Sequence, residues 1–371
     1  MRDIAVLIPA LDPGRDLIEY CDRLITFGIE TVILVDDGSD EEHASVFAEL
    51  ADRCLVLRHP YNLGKGRALK DAFKLIMSGV CTDTVICEET FLDKWKDSLK
   101  QIKVIVTADS DGQHAVDDVL KVGECALKQG NALVLGARDF DNDNVPFKSR
   151  NGNKITRRLF KLLHRLELSD TQTGLRGIPV DILDRLIKGK GNRFEYELDM
   201  LVIAARTNIH VIEVPIETIY ENNNEQTHFR AVRDSISVYR ILFGTFFKYL
   251  IASLSSFVLD ILLFRMFLAV FSGFSEATSI MLATATARVL SSVYNFLMNK
   301  TVVFIKEGNN VKTAAGYYTL CICQMAASAG LVILLHKVLP VKETYVKVLV
   351  DSILFCISYQ IQKRIIFASK D

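Results

Sequence analysis

The chain has 371 residues, 50% of them hydrophobic and 24% charged, with 44 Lys and Arg against 45 Asp and Glu. This balance excludes the basic excess of a general nucleic-acid binder, so no nucleic-acid partner is expected. An ordinary charged fraction beside a mean hydropathy of +0.22 means that the apolar excess is concentrated in one part of the chain.

The first apolar run, Ile4–Ile8, is too short for the core of a signal peptide and runs into turn residues, so it reads as a β-strand. Further β-type runs follow at Thr31–Val35, Leu55–Leu57, Lys103–Thr107, Ala132–Leu135 and Val211–Val214, with helical patterns at Asp16–Phe27, Glu41–Ala51 and Arg67–Ser78. Such alternation predicts an α/β domain with a mostly parallel sheet over residues 1–240. The eight cysteines are scattered without a C-x-x-C pair and read as free thiols of a reducing compartment.

From about Gly244 the character changes, and residues 241–371 form a second domain. Nearly continuous apolar stretches at about 246–271, 277–298, 313–336 and 345–367 are each long enough to cross a hydrocarbon core. They predict an all-α domain of four transmembrane helices. Lys and Arg cluster before the first span, between the second and third, and in the tail, which places both termini and the α/β domain in the cytoplasm. Lys337, Lys342 and Lys347 fall on the other side.

Three segments carry chemistry. The second strand runs into Asp36-Asp37-Gly38-Ser39, where a carboxylate can accept hydrogen bonds from a base or ribose. Asp40 is placed to cap the helix near Glu41, which leaves Asp36 and Asp37 for a ligand. Next, Asn62-Leu63-Gly64-Lys65-Gly66-Arg67 opens a helix, and its glycines beside Lys65 suit an anionic ligand without making a Walker A loop. Last, Thr107-Ala108-Asp109-Ser110-Asp111-Gly112-Gln113-His114 ends a strand, and its two carboxylates can face one hard cation, with Gln113 offering a carbonyl. Mg²⁺ or Mn²⁺ is the ion such oxygens select. The bland alternative is a solvated acidic turn.

The ordered set IPALDPGRDL, ILVDDGSDEE, NLGKGRALKDAF, TADSDGQH, GARDF and DTQTGLRGIP resembles the family 2 glycosyltransferases of GT-A fold, a nucleotide-diphospho-sugar transferase fold of Rossmann-like type. It is most similar to the dolichol-phosphate-mannose synthase-like and bacterial polyprenyl-phosphate enzymes of that family. The second half, with NFLMNK before Val303-Phe304, resembles the GtrA-like four-helix membrane module. The resemblance implies that Pro9, Ala10, Asp12 and Asp37 line a nucleotide pocket. It implies that Asp109, Asp111 and Gln113 hold the metal and donor diphosphate, with Ser110 on the same turn. It implies that Arg138, Arg150 and Arg176 face an acceptor phosphate. Asp12 stands where an Asn is commoner, and the stretch from Gly79 to Gln101 is longer than usual.

The expected activity is metal-dependent, inverting transfer of a hexosyl group from a nucleotide-sugar to undecaprenyl- or dolichyl-phosphate, by a multi-pass plasma-membrane protein. A UDP-sugar is favoured and GDP-mannose is also compatible; a homo-oligomer is left open. A polyprenyl phosphate is already an oxyanion, so it needs cations rather than a general base. The alternatives are a lipid-linked sugar flippase, suggested by Asp260, Arg288 and Asp351 near the spans, and a processive polysaccharide synthase. The latter carries Q-x-x-R-W, and the single tryptophan, Trp95, stands outside any such motif.

Overall fold

The computed structural model describes residues 1–86, 89–138, 156–158, 160–161, 166–217, 231–304, 310–338 and 343–367, with backbone alone at 89–91, 231–242, 310, 336–338 and 343–344. The chain divides into two compact units, Met1–Leu242 and Phe243–Asp371.

The first unit is built on a seven-stranded sheet. Its strands are β1 (Ile4–Ala10), β2 (Thr31–Asp36), β3 (Leu55–Arg58), β4 (Val104–Thr107), β5 (Ala132–Arg138), β6 (Arg176–Pro179) and β7 (His210–Ile216), in the order β3-β2-β1-β4-β6-β5-β7. All seven residues of β1 are buried, as an unbroken aliphatic strand covered on both faces requires. Helices α1 (Asp16–Thr26), α2 (Ala44–Leu50), α3 (Lys65–Ser78), α4 (Glu89–Gln101), α5 (Val116–Gln129) and α6 (Glu195–Arg206) accompany the sheet. Leu17 and Leu24 of α1 and Val119 and Val122 of α5 pack into one core with Val6, Ile8 and Val106. Each such side chain contributes roughly 1.5–3 kcal/mol by leaving water. A Cβ on Gly123 of α5 would lie 3.0 Å from a Val106 methyl, so this helix approaches the sheet only because the position is bare.

β1 pairs in parallel with β2 on one side and β4 on the other. That reversal of winding opens a crevice at the carboxyl ends of β1, β2 and β4. The segments read as chemical from the sequence leave the sheet there.

The structure adds β6, which the sequence pattern did not reveal. It is four residues long and runs antiparallel between β4 and β5. Its apolar run is too short to register as a strand. Helix α2 starts at Ala44 rather than Glu41. Asp40 is therefore not its cap; its carboxylate takes the His43 ring at 2.6 Å. The long connection after Gly79 holds α4, which buries Trp95 and Leu99, while the Lys94 ammonium donates to the Asp52 carbonyl at 2.8 Å.

The second unit contains α7 (Ala231–Val270, shared with the first unit at its start), α8 (Glu276–Met298), α9 (Asn310–Val338) and α10 (Glu343–Ile361). Three of them, over Phe243–Val270, Glu276–Val303 and Val311–Leu335, are long and apolar enough to cross a membrane. α10 carries Lys347 and Asp351, paired at 3.0 Å.

The two helix pairs, α7–α8 and α9–α10, carry similar residues at several matching positions. α8 and α10 both end in a π-helical turn, Asn299–Val303 and Gln362–Ile366. Asn299 and Gln362 are 63 residues apart and hydrogen-bond to each other, Nδ2 to Oε1 at 3.3 Å. At the same spacing Asn295 answers Ser358, Phe296 answers Tyr359, Val303 answers Ile366 and Phe304 answers Phe367. The last pair stack, with centroids 5.0 Å apart and rings within 12°. In the preceding helices Tyr249 answers Tyr317 and Asp260 answers Ser328, again at one constant offset. Each hairpin closes a polar contact at that level. Asp260 takes Arg288 at 3.3 Å and the Ser291 hydroxyl at 2.8 Å. Asp351 takes the Ser328 hydroxyl at 2.5 Å.

Candidate active site

Asp36 ends β2 and Asp37 follows it, and the oxygens of both are engaged inside the fold. Asp36 accepts from the Ser39 N–H at 2.8 Å and from Arg58 at 2.7 Å. Asp37 accepts from the Leu63 and Gly64 N–H groups at 3.0 and 2.7 Å and from the His59 ring at 2.7 Å. Its carboxylate thus fixes the start of the glycine loop. Gly38 has φ +79°, and a Cβ there would fall 2.2 Å from the Tyr61 carbonyl carbon, so the two loops touch backbone to backbone.

His59 is fully buried, with Asp37 on Nδ1 and Asp71 3.4 Å from Nε2. Burial disfavours its charge, but the two carboxylates outweigh burial and raise its pKa to about 9. Asp71 is held in turn by Arg67 at 2.7 Å and by the Thr84 hydroxyl at 2.8 Å. Through Thr84, the long connection after Gly79 closes this buried network.

Asp12 follows β1 at φ 49°, a left-handed conformation that Asn and Asp tolerate better than other side chains. Its N–H donates to the Ser39 hydroxyl at 2.9 Å, and its carboxylate accepts from the Asp40 N–H at 3.0 Å. Asp12, Asp40 and His43 bring ligand atoms within 4.8 Å of one another at this rim. Pro9 and Ala10 are buried in β1, and the Ala10 carbonyl accepts from the Asp37 N–H at 2.9 Å.

The acidic turn after β4 stands beside the glycine loop. The Lys65 ammonium binds Asp109 directly and Glu197 of α6 at 2.5 Å. His114 approaches the other Asp109 oxygen at 3.2 Å. Burial works against the Asp109 carboxylate, but Lys65 and His114 hold its pKa well below the usual range. Asp111 is exposed and accepts from the Gln113 N–H at 3.1 Å. Partial desolvation of its carboxyl and repulsion from Asp109 push its pKa up. Ser110, between them, is partly exposed.

The segment before β6 forms the wall behind this turn. Thr107 donates to the Gly174 carbonyl at 2.7 Å. A Cβ on Gly174 would lie 2.4 Å from an Asp109 oxygen, so the bare position makes the cradle in which that carboxylate sits. Arg176 is fully buried; its guanidinium donates to the Thr173 carbonyl at 3.0 Å and the Glu197 carbonyl at 2.5 Å. Arg138, at the end of β5, forms a forked pair with the buried Asp170 at 2.6 and 3.2 Å. Arg150 lies outside the described residues.

A divalent cation fits this donor set. Two carboxylates two residues apart repel each other, one of them sits in a glycine cradle, and the other is open to solvent. The structure thus brings Asp37, Lys65, Asp109 and Asp111 to one crevice. It places Arg176 behind the crevice rather than facing into it. His59, His114, Gly174 and Glu197 escaped the sequence reading.

Two family models match the chain. Residues 9–81 match Glycosyl transferase family 2, and residues 248–367 match the GtrA/DPMS transmembrane domain. The chain joins a family 2 glycosyltransferase domain to a GtrA/DPMS membrane domain. This glycosyltransferase is 28% identical over 222 residues to an uncharacterised protein of Methanocaldococcus jannaschii, covering 59% of this chain and 82% of that one. It is 26% identical over 240 residues to the UDP-N-acetylglucosamine–dolichyl-phosphate N-acetylglucosaminyltransferase of Methanococcus voltae, covering 58% and 86%. A crystal structure of glucosyl-3-phosphoglycerate synthase from Mycobacterium tuberculosis aligns with a TM-score of 0.42 at 13% identity, covering 66% and 79%.

Proposed function

We propose that the enzyme transfers a hexosyl group from a UDP-sugar to a polyprenyl phosphate at the cytoplasmic face of the membrane, with inversion at the anomeric carbon. One observation carries the reading: a paired-carboxylate turn at the carboxyl edge of β4 occurs in the same chain as a GtrA/DPMS transmembrane domain. The Methanococcus voltae relative, named for a UDP-sugar donor and a dolichyl-phosphate acceptor, supports both substrate classes.

In this scheme Asp109, Asp111 and Gln113 hold Mg²⁺ or Mn²⁺, which supplies positive charge against the leaving diphosphate. Pro9, Ala10 and Asp12 line the nucleotide pocket. Asp37 shapes it through the Leu63 and Gly64 N–H groups it holds. Arg150 holds the acceptor phosphate, forked donors suiting a tetrahedral oxyanion, while Arg138, whose own fork is closed on Asp170, shapes that side of the crevice. Arg176 acts from behind, through its grip on the Glu197 carbonyl. The phosphate attacks as an oxyanion, so no side chain has to remove a proton. The membrane unit tethers the α/β unit where the lipid lies. Lys347, which dissents from a cytoplasmic placement of both termini, is already engaged by Asp351.

A screen of radiolabelled UDP-sugars against undecaprenyl phosphate, with full-length protein in detergent and divalent metal, tests this reading. Label should pass into the organic phase with at least one donor. Label appearing only as free sugar or as water-soluble polymer would refute the reading.

A further inference from the structure

Among the described residues, Lys65 is the one lysine whose ammonium bridges two of the elements that build the crevice. It is the first residue of α3, and its ammonium lies between Asp109, just past β4, and Glu197 on α6. Its side chain is 15% exposed and Glu197 is 12% exposed, so both are largely withdrawn from water at the crevice edge. Burial opposes the lysine's charge, but Asp109 and Glu197 outweigh it and hold the ammonium above its ordinary pKa.

The three partners differ in freedom. The Asp109 carboxylate is held against Gly174, where not even a methyl group fits. The main chain of Glu197 is fixed by the buried Arg176. The backbone before Lys65 is fixed by the Gly64 N–H bond to Asp37. What can move is the four-carbon stem of Lys65, a flexible arm bearing a compact charge. Charge also argues for exchange. Asp111, exposed two residues from Asp109, forms no ion pair among the described residues, so its carboxylate is open to an arriving ion.

We propose that Lys65 is a built-in placeholder cation: it occupies Asp109 while the metal site is empty, and leaves it for Glu197 and the donor diphosphate when a divalent ion binds. This rests on the metal reading given above. Lys65 then makes metal and nucleotide binding mutually dependent beyond direct coordination. An ion arriving alone must displace the ammonium, whereas with nucleotide present the ammonium gains a second anionic partner. By linkage the coupling is the same in both directions.

The experiment is titration of the intact protein in detergent with Mn²⁺, followed by the electron spin resonance of the free ion, with and without UDP. Lys65→Met should bind Mn²⁺ on the order of 10-fold more tightly than wild type without nucleotide, within the usual span of coupling factors. The factor by which UDP tightens Mn²⁺ should be smaller in this variant than in wild type. Glu197→Gln, which removes a buried charge and leaves the lysine to Asp109 alone, should bind Mn²⁺ more weakly than wild type. Lys65→Met affinity equal to or below wild type would overturn the placeholder, as would unchanged affinity in Glu197→Gln. If Mn²⁺ binding to wild type is absent, or is unaltered by Asp111→Asn, the metal reading itself fails and this inference with it.

Discussion

The two units are specified in different ways. The α/β unit uses buried charge to fix geometry: His59 between two aspartates, Lys65 between Asp109 and Glu197, and Arg138 on Asp170 are each a single arrangement, unrepeated among the described residues. The membrane unit sets several aromatic and polar residues at matching positions of its two helix pairs, as Phe304 with Phe367 and Asn299 with Gln362. In water a buried ion pair needs well-placed partners to offset desolvation, so each pair is particular to its place. In a bilayer every backbone group is satisfied within its own helix, so similar residues can serve at matching positions.

The largest effect that sharpens this contrast is expected at the acidic turn. Asp111→Ala should lower kcat/KM by about 10³-fold or more, the scale of losing a principal electrostatic stabiliser. Its melting temperature in detergent should stay near wild type because Asp111 is exposed. A variant keeping most of its activity, or keeping it in EDTA, would remove the metal from the account.

Breaking a unique pair should instead cost stability. Arg138→Ala strands Asp170, which has no exposed side-chain surface. A loss of about 3–5 kcal/mol is expected, read by thermal unfolding. Replacing both partners with apolar residues should recover much of that loss. If Arg138→Ala unfolds like wild type, the pair is not a structural clasp.

His59 sets a pH dependence. Its folded pKa of about 9 lies above the ordinary 6.5. The stabilisation it brings is therefore complete below about 6.5 and is lost as pH rises through 9. The melting temperature of the wild type should fall over that window, and that of His59→Gln should fall less. Parallel curves would mean that the imidazole is neutral in the folded protein.

The smallest effect belongs to the matched amides of the membrane unit. Asn299→Leu removes the amide's bonds to Asn295 and Gln362 and should cost about 1 kcal/mol, whereas Gln362→Leu also strips the Tyr249 and Ser358 hydroxyls of their partner and should cost more, by thermal unfolding in detergent. Equal costs would show that the Tyr249 and Ser358 contacts carry no stability. Topology offers a sharper break: reporters at Asp371 and within Ser272–Glu276 should read opposite sides of the membrane.

Much of the fold was legible because it rests on local pattern. The aliphatic runs of β1, β2 and β4 and the glycines flanking Lys65 declare themselves without tertiary context. β6 did not, since four residues held between antiparallel neighbours make no periodic signal. The ligand-side reading of Asp37 was too simple: a sequence shows a carboxylate at a strand end but not the His59, Leu63 and Gly64 donors that fold back onto it. Glu197 was hidden because an acidic residue on an amphipathic helix ordinarily faces water. Arg176 was given to the acceptor, although its guanidinium ends on carbonyls in the interior. The matched positions, by contrast, were in the sequence all along, in the constant 63-residue spacing of Asn299 and Gln362, Phe304 and Phe367. Hydropathy alone could not reveal them, because apolar spans look alike whether or not their residues match.

The central claim is that the first unit performs the chemistry and the second supplies only location. The most direct test is a chain ending at Ile236, checked for folding and assayed with two acceptors. With a short, water-soluble polyprenyl phosphate it should transfer sugar within a few-fold of the full-length enzyme. With full-length lipid in bilayers it should transfer poorly. A folded truncated chain that is inactive with both acceptors would mean that the membrane helices contribute groups to the site, and would contradict the account.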